Sequence, residues 1–310
     1  AGRPPTVPVE LPDDPRVRFV EDSITSDRAL SLVDGSADTI FHLAAYHGNQ
    51  SSIHDPLADH ENNTLTTLKL MNHARNLKGL RKLVYSSAGC SVAEKTFDKA
   101  AATTEDAPLS LAQDSPYSIS KVIGEFYSVY FHRQHGLPTV RARFQNVYGP
   151  GEILGAGRWR GTPATVWRNV TPTFVYKALK GMPLPLENDG VATRDFIHVE
   201  DVCRGLVACA LRGEPGDVYN LASGKETSIR DLARTINEMT GNSAGVLLLP
   251  RRPWDHSGRR FGSTEKAEQR IGFKASVALR EGLAGTIGWT RNNLELIERC
   301  IGKHAGHMPL

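Results

Sequence analysis

Two side chains of one segment have the types and the spacing for proton transfer. The stretch "SPYSISKVIGEFYSVYFHRQHG" carries Tyr117 and Lys121, four residues apart. Its Ser115, Pro116 and final glycine predict a helix, and residues four apart share one face of a helix. An ammonium beside a phenol lowers the tyrosine pKa toward the range of a general base. The pair is a weak signal alone, because a surface Tyr and Lys also occur at this spacing by chance.

A second group of reactive side chains lies upstream, in "VYSSAGCSVAEK" at residues 84–95. This apolar strand ends in a loop of small residues that includes Ser86, Ser87 and Cys90. The strand lies about one crossover before the helix, as a shared active-site mouth requires. Because strand side chains alternate, Ser87 points to the face opposite Ala88, and Cys90 returns to the Ala88 side. A small buried cysteine is the alternative interpretation for Cys90.

Short apolar strands alternate with helices along the first half of the chain. Strands are predicted at Val17–Val20 and Thr39–Ala45, and helices over Ser26–Val33 and Glu61–Asn76. This alternation predicts an α/β fold, with a parallel sheet covered on both faces. After Gly149 a long loop leads to a smaller α/β unit. We expect one domain over residues 1–148, with 194–222 returning to it, and a second over 149–193 and 223–310.

Composition narrows the classes of function. The 310 residues carry a formal net charge of +3, which is too small to indicate nucleic acid or a membrane surface as partner. No stretch is apolar enough to span a bilayer, and nothing at the start is typical of a signal peptide. Four cysteines without a CxxC favour a reducing, cytoplasmic location. Four histidines between residues 42 and 60 lack the spacing of a zinc site, so no metal is expected.

An ordered series of motifs covers the chain from about Val17 to about Trp289. It runs "FHLAA", Asn63 before "TLTTLKL", "YSSAGC", "YSISK", "RFQNVYGP", "TRDFIHVEDV", "VYNLASG" and "RRPWD". The series resembles extended short-chain dehydrogenase/reductases, and within them nucleotide-sugar epimerases/dehydratases of O-antigen pathways. The resemblance implies a Rossmann-type sheet and NAD as cofactor. The Gly-x-Trp-basic-Gly run in "GRWRGTPATVWRNVTPTF" is also similar to GDP-mannose 3,5-epimerases.

The resemblance implies roles for individual residues. Tyr117 is the base that removes a sugar hydroxyl proton, and Lys121 lowers its pKa and holds the nicotinamide ribose. Positions that match the cofactor contacts are Ser23, Ile24, Leu43, Ala44, Ala45, Asn63, Ser86, Tyr117, Lys121 and Phe144. Positions that match contacts to the nucleotide sugar are Asn146, Arg158, Trp159, Arg160, Arg194, Arg252 and Asp255. Leu43 and Phe144 fit a plain core equally well, and Arg158 and Arg160 fit a solvated basic surface.

Several positions depart from the family pattern. Ala88 stands where the family has a Ser or Thr that shares the substrate proton, so Ser87 or Cys90 is the candidate replacement. In GDP-mannose 3,5-epimerases a cysteine at the Cys90 position acts as acid/base, but their partner lysine falls on Asn169 here. Dehydratases of the family carry an Asp-Glu pair where Gly89 and Cys90 stand, which ranks dehydration second.

The sequence contains no GxxGxxG loop to cradle the pyrophosphate of NAD. Either the first strand–loop–helix lies outside these residues or the protein is a truncated relative, and these residues by themselves are expected to bind NAD poorly. We expect a nucleotide-sugar epimerase in surface polysaccharide synthesis that works by transient NAD-dependent oxidation. A dehydratase and a non-catalytic relative that binds a sugar nucleotide are the alternatives. Helices Glu61–Asn76 and Ser115–Gln134 match those that pair relatives into homodimers.

Overall fold

The computed structural model describes residues 14–89, 92, 96–256 and 258–308. The α-helices are α1 (Asp27–Ser31), α2 (Asn49–His54), α3 (Pro56–Asp59), α4 (Thr66–Ala74), α5 (Pro116–His135), α6 (Val170–Leu179), α7 (Val199–Arg212), α8 (Ile229–Thr240), α9 (Glu265–Ile271), α10 (Leu279–Asn292) and α11 (Leu294–Gly302). The strands are β1 (Thr39–His42), β2 (Lys82–Ala88), β3 (Ala102–Thr103), β4 (Thr139–Phe144), β5 (Asn146–Tyr148), β6 (Leu184–Glu187), β7 (Thr193–Arg194), β8 (Phe196–His198), β9 (Val218–Leu221), β10 (Thr227–Ser228), β11 (Val246–Leu249) and β12 (Phe261–Gly262).

The main sheet consists of four parallel strands in the order β1-β2-β4-β9. In its register Val84 of β2 lies opposite Phe41 of β1 and Val140 of β4. Strands this rich in buried apolar residues need cover on both faces, and parallel strands need crossovers that provide it. The predicted parallel α/β architecture is confirmed.

Alternate residues of β2 enter two different hydrophobic cores. Leu83 and Tyr85 pack with Phe131 of α5, whereas Val84 packs with Leu206 of α7. Successive side chains of a strand point to opposite faces, so α5 and α7 cover opposite sides of the sheet. Each fully buried side chain of this size contributes about 1.5–3 kcal/mol to stability. The two cores fix α5 relative to the end of β2, where the predicted site lies.

The C-terminal part of the chain has a core of its own. Phe174 of α6, Leu184 of β6, Leu232 of α8 and Leu283 of α10 pack together. Strand β6 pairs in parallel with β11, β5 pairs with β8, and β7 pairs with β10. The smaller C-terminal α/β unit expected from the sequence is present. The division of the chain at residue 148 stays a prediction.

Two predicted elements differ from the structure. Val17–Val20 is not a strand, because no described strand lies beside it to satisfy its backbone hydrogen bonds. The predicted helix Glu61–Asn76 begins with a π-helical turn over His60–Leu65 and continues as α4. Within the described ranges no helix has the length and apolar character needed to cross a membrane.

Candidate active site

Helix α5 begins beside the carboxyl end of β2 and presents Tyr117 in its first turn. The Ser115 hydroxyl accepts a hydrogen bond from the backbone N–H of Ser118 (3.3 Å), and Pro116 occupies the first helical position. The Tyr117 backbone N–H donates to the Ser52 hydroxyl at 3.1 Å, which ties the helix start to α2. These local contacts fix where the Tyr117 side chain leaves the backbone.

Lys121 lies one helical turn after Tyr117, with its ammonium between two aromatic rings. Lys121 Nζ donates to the carbonyl oxygen of Ser86 at 2.8 Å. The same nitrogen lies 5.8 Å from the centroid of the Tyr117 ring and 5.3 Å from that of Tyr85. Both Tyr117 and Lys121 are buried. A buried positive charge beside a phenol favours its ionised form. The structure therefore brings Tyr117, Lys121 and Ser86 together at one point.

Asn63 fixes the loop that follows β1. Its side-chain amide accepts from the Tyr46 backbone N–H (2.7 Å) and donates to the Tyr46 carbonyl oxygen (3.1 Å). It also donates to Asp59 at 2.7 Å. Burial raises the pKa of the Asp59 carboxyl, although Asn63 and the Lys121 charge favour its ionised form. Asn63 lies in the π-helical turn His60–Leu65, a type of distortion that is frequent at functional sites.

The other predicted cofactor residues lie around the same end of the sheet. Leu43, Ala44 and Ala45 follow β1 directly, and Leu43 is 47% exposed. Phe144 is the last residue of β4. Ligands of open parallel sheets bind beyond the carboxyl ends of the strands, which is where these residues are. Ser23 and Ile24 lie in the segment before α1.

Ser87 does not belong to this site. Its hydroxyl donates to Glu125 Oε1 at 2.5 Å, and the residue is only 2% exposed. Glu125 in turn accepts two hydrogen bonds from Arg143, each 2.8 Å long. The neighbouring Ser86 hydroxyl donates instead to the His42 carbonyl oxygen at 2.9 Å. The Ser87 hydroxyl therefore points to the face that α5 covers and is bound by the Glu125–Arg143 pair rather than by Tyr117, and its predicted catalytic role is wrong.

The residues after Ser87 define what chemistry the loop can support. Ala88 is buried and has no polar side chain. A side chain at Gly89 would collide with the amide of Gln145. The position that carries a carboxylate in the dehydratases thus has no side chain here, and the Gln145 amide lies against it. Cys90 lies outside the described residues, and its role stays a prediction.

Sequence reasoning missed His47, which the structure places against Tyr117. Their ring centroids are 5.4 Å apart and the ring planes meet at 73°. Arg160 Nη1 donates to the His47 carbonyl oxygen at 3.0 Å, and its guanidinium lies 4.3 Å from the centroid of the Tyr46 ring. Arg160 was predicted from the sequence, whereas His47 has no motif of its own. The only signal for it is its place two residues after the "HLAA" strand end.

His42, on β1, is buried, and its ring nitrogen Nε2 bonds to another side chain of the protein. Its Nε2 lies 2.9 Å from the Thr67 hydroxyl, which itself donates to the Asn63 carbonyl oxygen at 2.6 Å. His42 must therefore donate its Nε2 proton to Thr67. Burial lowers the pKa of His42 to about 3, and the Lys121 charge acts in the same direction.

In the part of the chain that the structure describes, no group of three or more His, Cys, Asp or Glu side chains could hold a metal ion.

The three predicted residues of the loop at 158–160 point in different directions. Trp159 stacks on His307, with ring centroids 5.0 Å apart and planes 16° from parallel, and it also contacts His304 at 5.8 Å. Arg158 is exposed. Of the three, the structure brings only Arg160 to the Tyr117 region. Trp159 instead anchors the loop to the C-terminal segment.

The predicted diphosphate contacts gather at the C-terminal unit. Arg194 Nη2 lies 3.9 Å from Asp255 Oδ2. Arg252 pairs with Glu187, the last residue of β6. Asn146 is the first residue of β5. Guanidinium groups suit phosphate through paired hydrogen bonds. Arg194 and Arg252 thus lie in a second region, where each guanidinium has a carboxylate within 4 Å.

Comparison with known proteins gives a consistent result. The sequence model of the NAD dependent epimerase/dehydratase family matches residues 4–222. The chain is 29% identical to a dTDP-glucose 4,6-dehydratase of Streptomyces antibioticus, over 96% of this chain and 83% of that protein. It is 32% identical to a UDP-glucose 4-epimerase of Mycolicibacterium smegmatis, over 89% and 84% respectively. The crystal structure of the Bordetella bronchiseptica enzyme WbmF with NAD+ and UDP superposes with a TM-score of 0.84 at 64% identity, over 96% of this chain and 85% of that one.

Proposed function

Because the chain belongs to the NAD-dependent epimerase/dehydratase family, we propose that it is a nucleotide-sugar epimerase that transiently oxidises its sugar. NAD, when bound, accepts a hydride from a sugar carbon and returns it. Tyr117 removes the hydroxyl proton at that carbon, and Lys121 stabilises the phenolate that does so. The observation that carries the proposal is the buried Lys121 ammonium beside Tyr117 at the end of the main sheet.

The residues around this sheet end fit the nicotinamide side of NAD. Leu43 and Ala44 are exposed beyond β1, and Lys121 and Ser86 meet at the end of β2. Solved WbmF complexes contain NAD+ or NADH, which supports the same cofactor here. Asn63 would hold the loop after β1 through its hydrogen bonds to the Tyr46 backbone. The cofactor-facing surface is otherwise formed by Ala45 and Phe144, with Ser23 and Ile24 toward the adenine.

The nucleotide sugar would lie between the Tyr117 region and the region of Arg194 and Arg252. Arg194 and Arg252 bind the diphosphate, Asp255 accepts from the ribose hydroxyls, and Asn146 donates near the diphosphate. Arg160 lies at the sugar end, because it contacts the residue next to Tyr117 in space. WbmF has been crystallised with UDP, which supports a uridine or similar nucleotide.

The direct test is turnover of a panel of nucleotide sugars by the purified full-length protein with added NAD. The panel contains UDP-glucose, UDP-galactose, UDP-glucuronic acid and dTDP-glucose. Proton NMR of the products should show inversion of one ring stereocentre and retention of the 6-hydroxyl or carboxyl group. Loss of water to a 6-deoxy-4-keto sugar would instead identify a dehydratase. No change in any sugar, with UDP still bound, would favour the non-catalytic binding protein.

Dehydration is the second candidate, because a relative carries that activity. The family's dehydratases need a pair of carboxyl groups after β2, which act as acid and base when water is eliminated from the sugar. Here Gln145 fills the space at Gly89, and no carboxylate stands at that position. The site chemistry therefore favours epimerisation.

A first prediction concerns Arg252. Replacing it with glutamine is expected to raise the Kd for UDP by about tenfold or more, because charged hydrogen bonds contribute about 1.5–3 kcal/mol each. Titration calorimetry with UDP measures the change. The matched control is Arg280→Gln, since Arg280 is exposed and pairs with Glu238 on α8. Equal UDP affinity in both variants would remove Arg252 from the binding site.

A second prediction concerns assembly. Ile119, Phe126 and Tyr130 form one exposed stripe on α5, with exposures of 46%, 56% and 51%. Residues 7 and 11 positions apart share a helix face, and an apolar stripe of this kind needs a partner. We propose that two copies pair through it. Phe126→Glu should convert a dimer to a monomer by light scattering, whereas Leu211→Glu on α7 should not. A parent that is monomeric at all concentrations would contradict the pairing.

The setting proposed for this activity is the cytoplasm, in the synthesis of sugars for surface polysaccharides. Cys203, Cys209 and Cys300 are free thiols, as is usual in a reducing compartment. An activated sugar of altered stereochemistry is the donor that a glycosyl-transfer reaction consumes.

A further inference from the structure

The proposed reaction needs a hydrogen-bond donor beside Tyr117 that β2 does not supply. Ala88 has no hydroxyl, and the Ser87 hydroxyl donates to Glu125, two helical turns after Tyr117 on α5. When Tyr117 takes the proton, negative charge develops on the sugar oxygen. A donor aimed at that oxygen stabilises the charge and typically contributes about 10²–10³-fold to kcat.

His47 has the position for such a donor. Its ring meets the Tyr117 ring at 5.4 Å in an edge-to-face arrangement. Arg160 donates to the His47 carbonyl oxygen, and Asn63 binds both backbone groups of the preceding residue, Tyr46. The backbone at Tyr46 and His47 is thus held by the loop at 158–160 and by the π-helical turn, and the imidazole ring itself contacts Tyr117.

The hydrogen-bonding state of His47 differs from that of its neighbour His42. The His42 ring is bonded to Thr67, whereas neither ring nitrogen of His47 has a hydrogen-bond partner among the described residues. His47 is half-buried. An unpaired imidazole next to a reactive phenol is therefore available to a ligand.

The charge state of His47 suits donation without proton transfer. Burial lowers its pKa to about 3, and the positive charges of Arg168, Lys121 and Arg160 act in the same direction. The ring is neutral at physiological pH and carries one N–H donor and one acceptor. Neutral histidines serve as electrophiles in enzymes that depress the imidazole pKa in this way.

We propose that His47 is a catalytic residue whose neutral imidazole donates a hydrogen bond to the sugar oxygen that Tyr117 deprotonates. This inference rests on the proposed function. The hydroxyl proton moves to Tyr117 Oη, the hydride moves from the same carbon to NAD, and His47 keeps its own proton throughout. His47 thereby replaces the hydroxyl that is missing at Ala88.

The experiment compares His47→Phe, His47→Gln and Tyr117→Phe with the parent, using the most rapidly converted sugar of the panel. Phenylalanine keeps the ring contact with Tyr117 but has no donor, whereas glutamine keeps a donor. We expect His47→Phe to lower kcat about 100-fold with KM within threefold, and His47→Gln to recover part of the loss. Stopped-flow absorbance at 340 nm should show that reduction of the bound nicotinamide slows by the same factor. His60→Gln, at an exposed position of the same region, is the control.

The outcomes separate this inference from the proposed function. If Tyr117→Phe is inactive but His47→Phe retains kcat within threefold of the parent, the role of His47 is overturned and the epimerase proposal stands. If the parent converts no sugar, both fail. If His47→Phe does not fold by circular dichroism, the Gln variant and an Asn variant decide. A rise in KM with unchanged kcat in these two variants would reduce His47 to a binding contact and overturn the inference.

Discussion

Replacing Tyr117 with phenylalanine is expected to lower kcat about 1,000-fold while the Kd for UDP stays within twofold. The phenol is the group that takes the sugar proton, and general base catalysis of this kind contributes about 10²–10⁴-fold. Because the ring itself is kept, its contacts with His47 and Lys121 should persist. Product formation by NMR measures kcat, and calorimetry measures UDP binding.

The matched control for Tyr117 is Tyr127→Phe on the same helix. Tyr127 packs against the core under α5, away from the end of β2. It should retain nearly full activity. If Tyr117→Phe also retained activity, a phenol could not be the base, and the assignment of Lys121 as its partner would fall with it.

Replacing Glu125 with alanine is expected to cost about 3–5 kcal/mol of unfolding free energy, with little direct effect on chemistry. Glu125 and Arg143 are both buried and joined by two hydrogen bonds, and Arg141 lies 3.4 Å away. Removing one partner leaves a buried guanidinium uncompensated, which is the costly case. Urea unfolding of parent and variant measures the difference.

Two further variants make the Glu125 result specific. Glu268→Ala breaks the exposed pair with Lys274 and should cost less than about 1 kcal/mol. Combining Glu125→Leu with Arg143→Met removes both charges and should recover much of the loss. A loss below about 1 kcal/mol for Glu125→Ala would show that the buried pair contributes no more than a surface one.

The same network predicts how stability depends on pH. Burial raises the pKa of Glu125, but the hydrogen bonds and charge of Arg143, with Ser87 and Arg141, outweigh this and leave the pKa below its ordinary value. The stabilisation is therefore complete at neutral pH and is lost as the pH falls below about 4. The difference in unfolding free energy between the parent and Glu125→Gln should shrink between pH 7 and pH 3.

Local spacing explains what the sequence could predict. Tyr117 and Lys121 are four residues apart on a helix whose cap and first proline are visible in the sequence, so their shared face followed directly. The alternation of a strand likewise predicted that Ser87 turns away from Ala88. Both conclusions depend only on neighbours within one element.

Contacts between distant residues explain what the sequence could not predict. Ser87 and Glu125 are 38 positions apart, and no periodic pattern links them. His47 acquires its role from Tyr117 and Arg160, which lie on other elements. Val17–Val20 has the composition of a strand, but a strand also needs a hydrogen-bonded neighbour, which composition does not reveal.

The stack between Trp159 and His307 has a consequence for changing the selectivity of the protein. The stack fixes the position of the loop at 158–160, and Arg160 of this loop donates a hydrogen bond to the His47 carbonyl oxygen. Substitutions at residues 303–307, nearly two hundred positions from Tyr117 in the sequence, can therefore shift the sugar end of the site by small amounts. Random variation of this tail offers a way to retune which sugars are accepted without touching any residue that contacts them.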